Sequence, residues 1–228
     1  MDEVWAVKHR PTTLDEFKGH DRIKNEIARI LDGEAPMQHY IFHSMEAGTG
    51  KTSLAHIIAN TLGYAIHKYN ASSKRQRGIE FVEEIALMTR LGQYETIFFL
   101  DEADQLTEAA QSSLKGVIED AQGFFILTCN DLSKVSPWLQ SRCQVRTFAP
   151  IDEKQMMQRL ETIESKEGVE SNPDHFGIIA SSNQGDLRNA INTLQAYHSL
   201  PVEDRTDFIL SLQEPPLNSH RVIKLLFK

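Results

Sequence analysis

At 228 residues, 40% hydrophobic and 25% charged, the chain has the make-up of a globular protein with one large domain, or a medium and a small one. Its formal charge of −8 speaks against wrapping nucleic acid over the whole surface but leaves room for a local basic stripe, and its two cysteines, Cys129 and Cys143, lack the C-x-x-C or His neighbours of a zinc site and suit a reducing compartment. No apolar run approaches the roughly 18 residues that span a membrane, and the opening MDEVWAVKHRP is charged, so neither a membrane partner nor a secretion signal is expected.

Ile23, Ile27, Ile30 and Leu31 recur at helical spacing and predict a helix over 21–31. HYIFHS (39–44) is a short apolar run that enters a glycine-rich loop, after which TSLAHIIANTL (52–62) returns to helical periodicity. AIHKYN (65–70) alternates as a strand does, and GIEFVEEIALMTRLG (78–92) reads as an amphipathic helix. TIFFLDEAD (96–104) starts as a buried strand and stops at acids; EAAQSSLKGVIEDA (108–121) is helical. FFILTCN (124–130) is another buried strand, and VRTF (145–148) adds one more before Pro150. Continuously apolar strands alternating with helices predict an α/β fold, a parallel five-stranded sheet covered on both faces.

The character changes across Ala149–Asp152. DEKQMMQRLETIESKEG, PDHFGIIASSN and GDLRNAINTLQAYH read as helices with no strand between them. The expected division is a nucleotide-binding domain over 1–150, a small all-helical domain over 151–205, and a linker over 206–228 that holds one further apolar-rich helix candidate, SHRVIKLLFK (219–228).

The chemistry begins at SMEAGTGKTS (44–53). Its GTGKT is the second half of the phosphate-loop pattern G-x-x-x-x-G-K-[ST], placed between strand and helix as that pattern requires. Backbone amides of Gly48, Thr49, Gly50 and Lys51 would cradle phosphates, with Ala47 and Ser53 flanking them. The Lys51 ammonium would reach the outer phosphates, and the Thr52 hydroxyl offers a ligand to Mg²⁺. Met45 stands where the first glycine belongs and is tolerable at negative φ. A Glu46 carboxylate would repel a triphosphate unless it points outward; a degenerate loop that binds no nucleotide is the alternative.

Asp101 and Glu102 stand where IFFL emerges at its C-terminal end, the side on which open α/β sheets bind ligands. Asp101 can hold Mg²⁺, and Glu102 can polarise an attacking water. Asn130, at the tip of FFILTCN, is either a turn residue or a contact to the γ-phosphate or that water, and the setting favours the contact. Lys74, Arg75 and Arg77 in NASSKRQRG (70–78) gather before a helix N-terminus, where cation and dipole together favour phosphate; a solvated loop is the alternative.

These motifs resemble the small subunits of sliding-clamp loaders, of the replication factor C and T4-like phage type, within the AAA+ ATPases. VWAVKHRPTTLDEFKGHD is similar to the family's W-x-x-K-Y-R-P-x-x-L-x-E-x-x-G opening, with His9 in place of the tyrosine. LDEAD, AAQSSLKGVIED, LQSRC and GDLRNAINTLQ follow in the family's order, and the likeness runs over about residues 4–198.

The resemblance implies an ATP hydrolase, slow unless assembled, with ATP and Mg²⁺ as cofactors. It implies Arg142 as an arginine finger acting in trans and Arg188 as a sensor in the helical domain. It places Ala6, Arg10, Pro11 and Lys18 around the adenine, Glu119 near a subunit interface, and Lys115 as a basic switch between DNA and nucleotide. The expected partners are other loader subunits in a ring, a pentamer when complete, together with a sliding clamp and primer-template DNA. The expected location is cytoplasmic or nuclear, at the replication fork. The family's helical collar domain is expected to be mostly or wholly absent from a chain that stops at Lys228. The alternatives are a non-hydrolysing structural AAA+ subunit of such a complex, or another DNA-associated AAA+ motor.

Overall fold

The computed structural model describes residues 3–91 and 95–213. Its elements begin and end where side-chain chemistry dictates. A one-turn helix, α1 (Trp5–Lys8), precedes α2 (Asp21–Leu31), which buries Ile23, Ile27 and Ile30 along one face. Strand β1 (Tyr40–His43) runs through the loop into α3 (Lys51–Leu62), and β2 (Ala65–Asn70) leads to α4 (Ile79–Leu91). After β3 (Thr96–Asp101) comes α5 (Glu108–Asp120), which starts where the Thr107 hydroxyl accepts the Ala110 N–H. Strand β4 (Phe124–Cys129), the short α6 (Pro137–Gln140) and β5 (Gln144–Thr147) complete this part. Beyond it, α7 (Glu153–Glu167), α8 (Pro173–Ser182) and α9 (Leu187–Ser199) are capped by Asp152, Asn172 and Asp186, each accepting a first-turn N–H. The last described helix is α10 (Arg205–Gln213).

The five strands form one parallel sheet in the order β2-β3-β4-β1-β5. Alternate residues serve opposite faces. Phe98, Leu100, Phe125 and Leu127 meet Phe81, Val82 and Ile85 of α4 and Leu114 and Ile118 of α5. Tyr40, Phe42, Ile97, Phe99 and Ile126 meet Ile27 of α2 and Leu54, Ile57 and Ile58 of α3. Each such side chain contributes about 1.5–3 kcal/mol when fully buried, which is why the strands are apolar on both faces. Their C-terminal ends form one rim, where Asn70 stands beside Asp101, and His43 between Cys129 and Thr147.

The chain divides into two units, Arg10–Pro150 around the sheet and a helical unit that begins at Ile151 and includes the opening residues through His9. The sequence reading assigned those opening residues to the sheet domain. Their burial explains the difference: Trp5 lies in the helical core with Met156, Leu160, Ile179 and Leu194, and its N–H donates to Gln195 Oε1 at 2.9 Å. Buried His9 pairs with Glu167 through Nε2, and its carbonyl accepts Arg159 Nη2 at 2.6 Å. Helix α10 differs as well, since Ile209 is buried in that same core where a linker was expected. The predicted helix over 219–228 lies outside the described residues.

Candidate nucleotide site

The loop between β1 and α3 opens at the sheet's C-terminal rim. Gly50 precedes α3 at φ +97°, and no side chain caps that helix, so its first-turn amides face the loop without a protein acceptor from the cap. A Cβ at Gly50 would stand 2.6 Å from Cε2 of buried Phe17, so the ring backs the loop and holds its shape. The Thr49 carbonyl accepts from His20 Nε2 at 3.0 Å, while the buried Thr49 hydroxyl has no hydrogen-bond partner among the described residues. Burial holds the His20 pKa below 6.5, against the opposing pull of that carbonyl.

Lys51 donates to the carbonyls of Ser44 (3.3 Å) and Glu46 (3.1 Å) and to Asn130 Oδ1 (3.0 Å). The loop lysine and the tip of β4, seventy-nine residues apart in sequence, are thus in direct contact. Met45 is 81% exposed and is not among the residues of positive φ, and the Glu46 side chain is exposed.

Asp101 and Glu102 share a partner that sequence reasoning missed. The buried Thr128 hydroxyl donates to Asp101 Oδ1 at 2.6 Å and accepts the Glu102 N–H at 3.0 Å. Glu102 has φ +57°, a left-handed conformation that turns the chain out of β3 and costs about 1–2 kcal/mol for a non-glycine residue. Asp104, also buried, accepts the Asn130 N–H at 3.4 Å. The signal for Thr128 in the sequence is its position as the first polar residue of an otherwise apolar strand. Cys129, beside it, is inert: burial pushes its thiol pKa up to about 12.

Lys51, Asp101, Glu102 and Asn130 therefore gather at one rim, with Thr52 and Ser53 in the first turn of α3. An uncapped helix N-terminus, an unpartnered buried hydroxyl and a loop ammonium fit a polyphosphate. Thr52 and Asp101 are hard oxygen donors of the kind Mg²⁺ takes. Of the residues expected near adenine, Arg10, Pro11 and Lys18 belong to this unit; Ala6 packs at the edge of the helical core. Arg188 is exposed in the first turn of α9, and no ion pair engages it among the described residues.

Arg142 is held elsewhere, between α6 and β5. Its Nε donates to Glu119 Oε1 at 2.7 Å, its Nη2 pairs with the same oxygen, and Nη1 donates to the Trp138 carbonyl at 3.1 Å. Hydrogen bonding from Arg142 lowers the Glu119 pKa. Lys115 lies over the Trp138 ring, 4.9 Å from its centroid. Lys74, Arg75 and Arg77 are all exposed on a loop ordered from within, where Asn70 Oδ1 accepts the Ser72 N–H and Gln76 Oε1 accepts the Asn70 N–H.

Residues 41–151 match the family model "ATPase family associated with various cellular activities (AAA)". The Thermotoga maritima RuvB Holliday junction branch migration motor superposes with a TM-score of 0.73 at 24% identity, covering 89% of this chain and 71% of that one, a likeness of fold. The sheet unit has the AAA+ fold, and the AAA family model matches most of it. Two curated relatives give the closer placement. A replication factor C small subunit from Haloarcula marismortui is 36% identical over 86% of this chain and 62% of its own length. Another, from Picrophilus torridus, is 36% identical over 87% and 65%. The chain is similar to replication factor C small subunits along most of its own length and spans somewhat under two thirds of the length of the relatives it matches.

Proposed function

We propose that the chain is an ATPase subunit of a DNA sliding-clamp loader, in which ATP binding and hydrolysis drive the opening and loading of a processivity clamp on primer-template DNA. The observation that carries the ATP site is the joining of Lys51 to Asn130 and of Asp101 and Glu102 through Thr128 at one rim of a parallel sheet. The replication factor C relatives support the loader assignment.

In this reading the loop amides and Lys51 hold the phosphates. Thr52 and Asp101 would hold Mg²⁺, which supplies charge neutralisation at the phosphoryl group being transferred. Glu102 orients and polarises the attacking water, Asn130 holds that water or the γ-phosphate, and Arg188 reports nucleotide to the helical unit. Arg142 serves ATP on a neighbouring subunit, so the single chain turns over slowly. Fingers of this kind are worth about 10³–10⁵ in rate. Lys74, Arg75 and Arg77 would follow the DNA backbone without reading bases. The partners are further loader subunits in a ring of five, a sliding clamp and primer-template DNA, at a fork in the cytoplasm or nucleus.

Calorimetry of the purified chain with ATP, with and without Mg²⁺, tests the site. Wild type is expected to bind and Lys51→Ala to lose binding at least tenfold. A folded wild-type chain that ignores millimolar ATP would make it a non-hydrolysing structural subunit. Clamp loading onto primed DNA by the reconstituted ring tests the rest.

A further inference from the structure

Lys68 has no part in the site as described, yet it is directed at it. It lies on β2, the strand at one edge of the sheet, in register with Phe99 of β3 and two residues before the Asn70–Asp101 pair. Its side chain crosses the Phe99 ring, 5.8 Å from the centroid, and brings Nζ to 3.9 Å from Asp101 Oδ2. Asp101 Oδ1 is occupied by the Thr128 hydroxyl, so Oδ2 is the oxygen that Lys68 addresses. On the same face stands His56 of α3, 6.0 Å from the Phe99 ring centroid, with a buried Nε2 that has no hydrogen-bond partner among the described residues. Burial first, and the charges of Arg10 and Lys68 next, disfavour its protonation. Lys68 thus stands as a cation beside the Asp101 carboxylate.

We infer that Lys68 is a positioning residue of the nucleotide site: it supplies the counter-charge of Asp101 when no metal is bound, and it sets how tightly Asp101 takes a divalent cation. The inference rests on Asp101 being a metal ligand in the ATPase reading. Two features fit Lys68 to the task. At 3.9 Å, with 46% of the lysine side chain exposed, the pair is of the weak and yielding kind. Yet an ammonium that stays near Asp101 repels an incoming dication. At about 5 Å in a water-like dielectric that repulsion corresponds to roughly tenfold in metal affinity. An arginine would preserve it, an uncharged chain of similar length would abolish it, and a carboxylate would reverse it.

The test uses the full chain and Mn²⁺ as the probe, titrated by electron paramagnetic resonance in the presence of a saturating non-hydrolysable ATP analogue, with analogue binding in EDTA measured alongside. Lys68→Met is expected to tighten Mn²⁺ about tenfold, Lys68→Glu to tighten it further, and Lys68→Arg to stay within twofold of wild type. Analogue binding in EDTA is expected to be the same in all four proteins. Circular dichroism and the Lys68→Arg protein establish that a change comes from charge rather than from a damaged edge strand. If Lys68→Met binds Mn²⁺ as wild type does, Lys68 is a surface ion pair and the inference fails while the ATP site stands. If Lys68→Met loses analogue affinity in EDTA and gains none for Mn²⁺, the lysine belongs to the phosphates and the inference fails again. If wild type binds no analogue, the ATPase reading fails, and the inference with it.

Discussion

Replacing Gly50 by alanine separates two costs that the fold imposes at the loop. The first is conformational: φ of +97° lies where an L side chain is strained, at about 1–2 kcal/mol. The second is steric, because the new Cβ would meet Phe17 Cε2 at 2.6 Å and Cζ at 2.9 Å. Phe17 is 2% exposed, so the ring cannot swing into water, and overpacking of this kind costs about 1–3 kcal/mol. Gly63, at the other end of α3, isolates the first cost: its φ is +70°, and a Cβ there meets nothing within 4 Å. Gly63→Ala should therefore destabilise by about 1–2 kcal/mol, and Gly50→Ala by about 2–5 kcal/mol, the sum of both terms. Urea unfolding followed by circular dichroism, with the slope m held in common, measures the difference. In a chain of this size the melting temperature should fall by about 2–4 °C for each kcal/mol. Equal destabilisation by the two alanines would refute the claim that Phe17 braces the phosphate loop.

Thr128→Val, nearly isosteric, leaves the Glu102 N–H and Asp101 Oδ1 without the hydroxyl they share. A loss of about 1–3 kcal/mol is expected in urea, and no measurable change would place both groups in contact with water. His39 supplies a pH dependence. Its Nδ1 accepts the Phe125 N–H at 3.0 Å, which an imidazolium cannot do, and burial lowers its pKa from 6.5. The folded state then binds fewer protons than the unfolded one below about pH 6.5, so this stability is full above that pH and is lost as pH falls toward the folded pKa. Wild type should lose more stability than His39→Gln between pH 7.5 and 5.5; equal losses would mean that His39 titrates alike in both states. His20 and His56 shift the same way and affect both proteins equally.

The strands and the long helices were legible because burial on two faces leaves an unmistakable apolar run in a strand, and burial on one face leaves a helical period. The affiliation of the opening residues was not legible. Trp5 reads only as an apolar residue in a charged segment, and its partners His198 and Gln195 are some 190 residues away. A composition boundary at Pro150 marks where helices replace strands; it carries no information about which earlier segment returns to them. Helix α10 was obscured for a related reason, since the consecutive Phe208, Ile209 and Leu210 mark no single helix face until the core that Ile209 fills is known.

At the candidate site, sequence reports which residues stand at strand ends, and physical contact decides how they are coupled. Lys51, Asp101, Glu102 and Asn130 were each visible as the polar residue that ends an apolar run or a glycine loop. That Thr128 ties two of them together was hidden, because a threonine inside FFILTCN is equally compatible with a β-branched residue filling the core. The register resolves it: Leu100 stands beside Leu127, so the next step along both strands brings Asp101 level with Thr128. The hydroxyl then accounts for the left-handed Glu102. A residue at φ +57° stays there when its surroundings hold it, and the bond from its N–H to the buried Thr128 supplies part of that hold. The same logic disposes of Met45 and Glu46. They occupy a part of the loop where their side chains are exposed and φ is unexceptional, whereas the loop's positive φ values and the Phe17 brace lie at or after Gly48, and Glu46 accepts Lys51 through its backbone carbonyl, which any residue supplies. A departure from the phosphate-loop pattern in that first half leaves the second half's geometry in place.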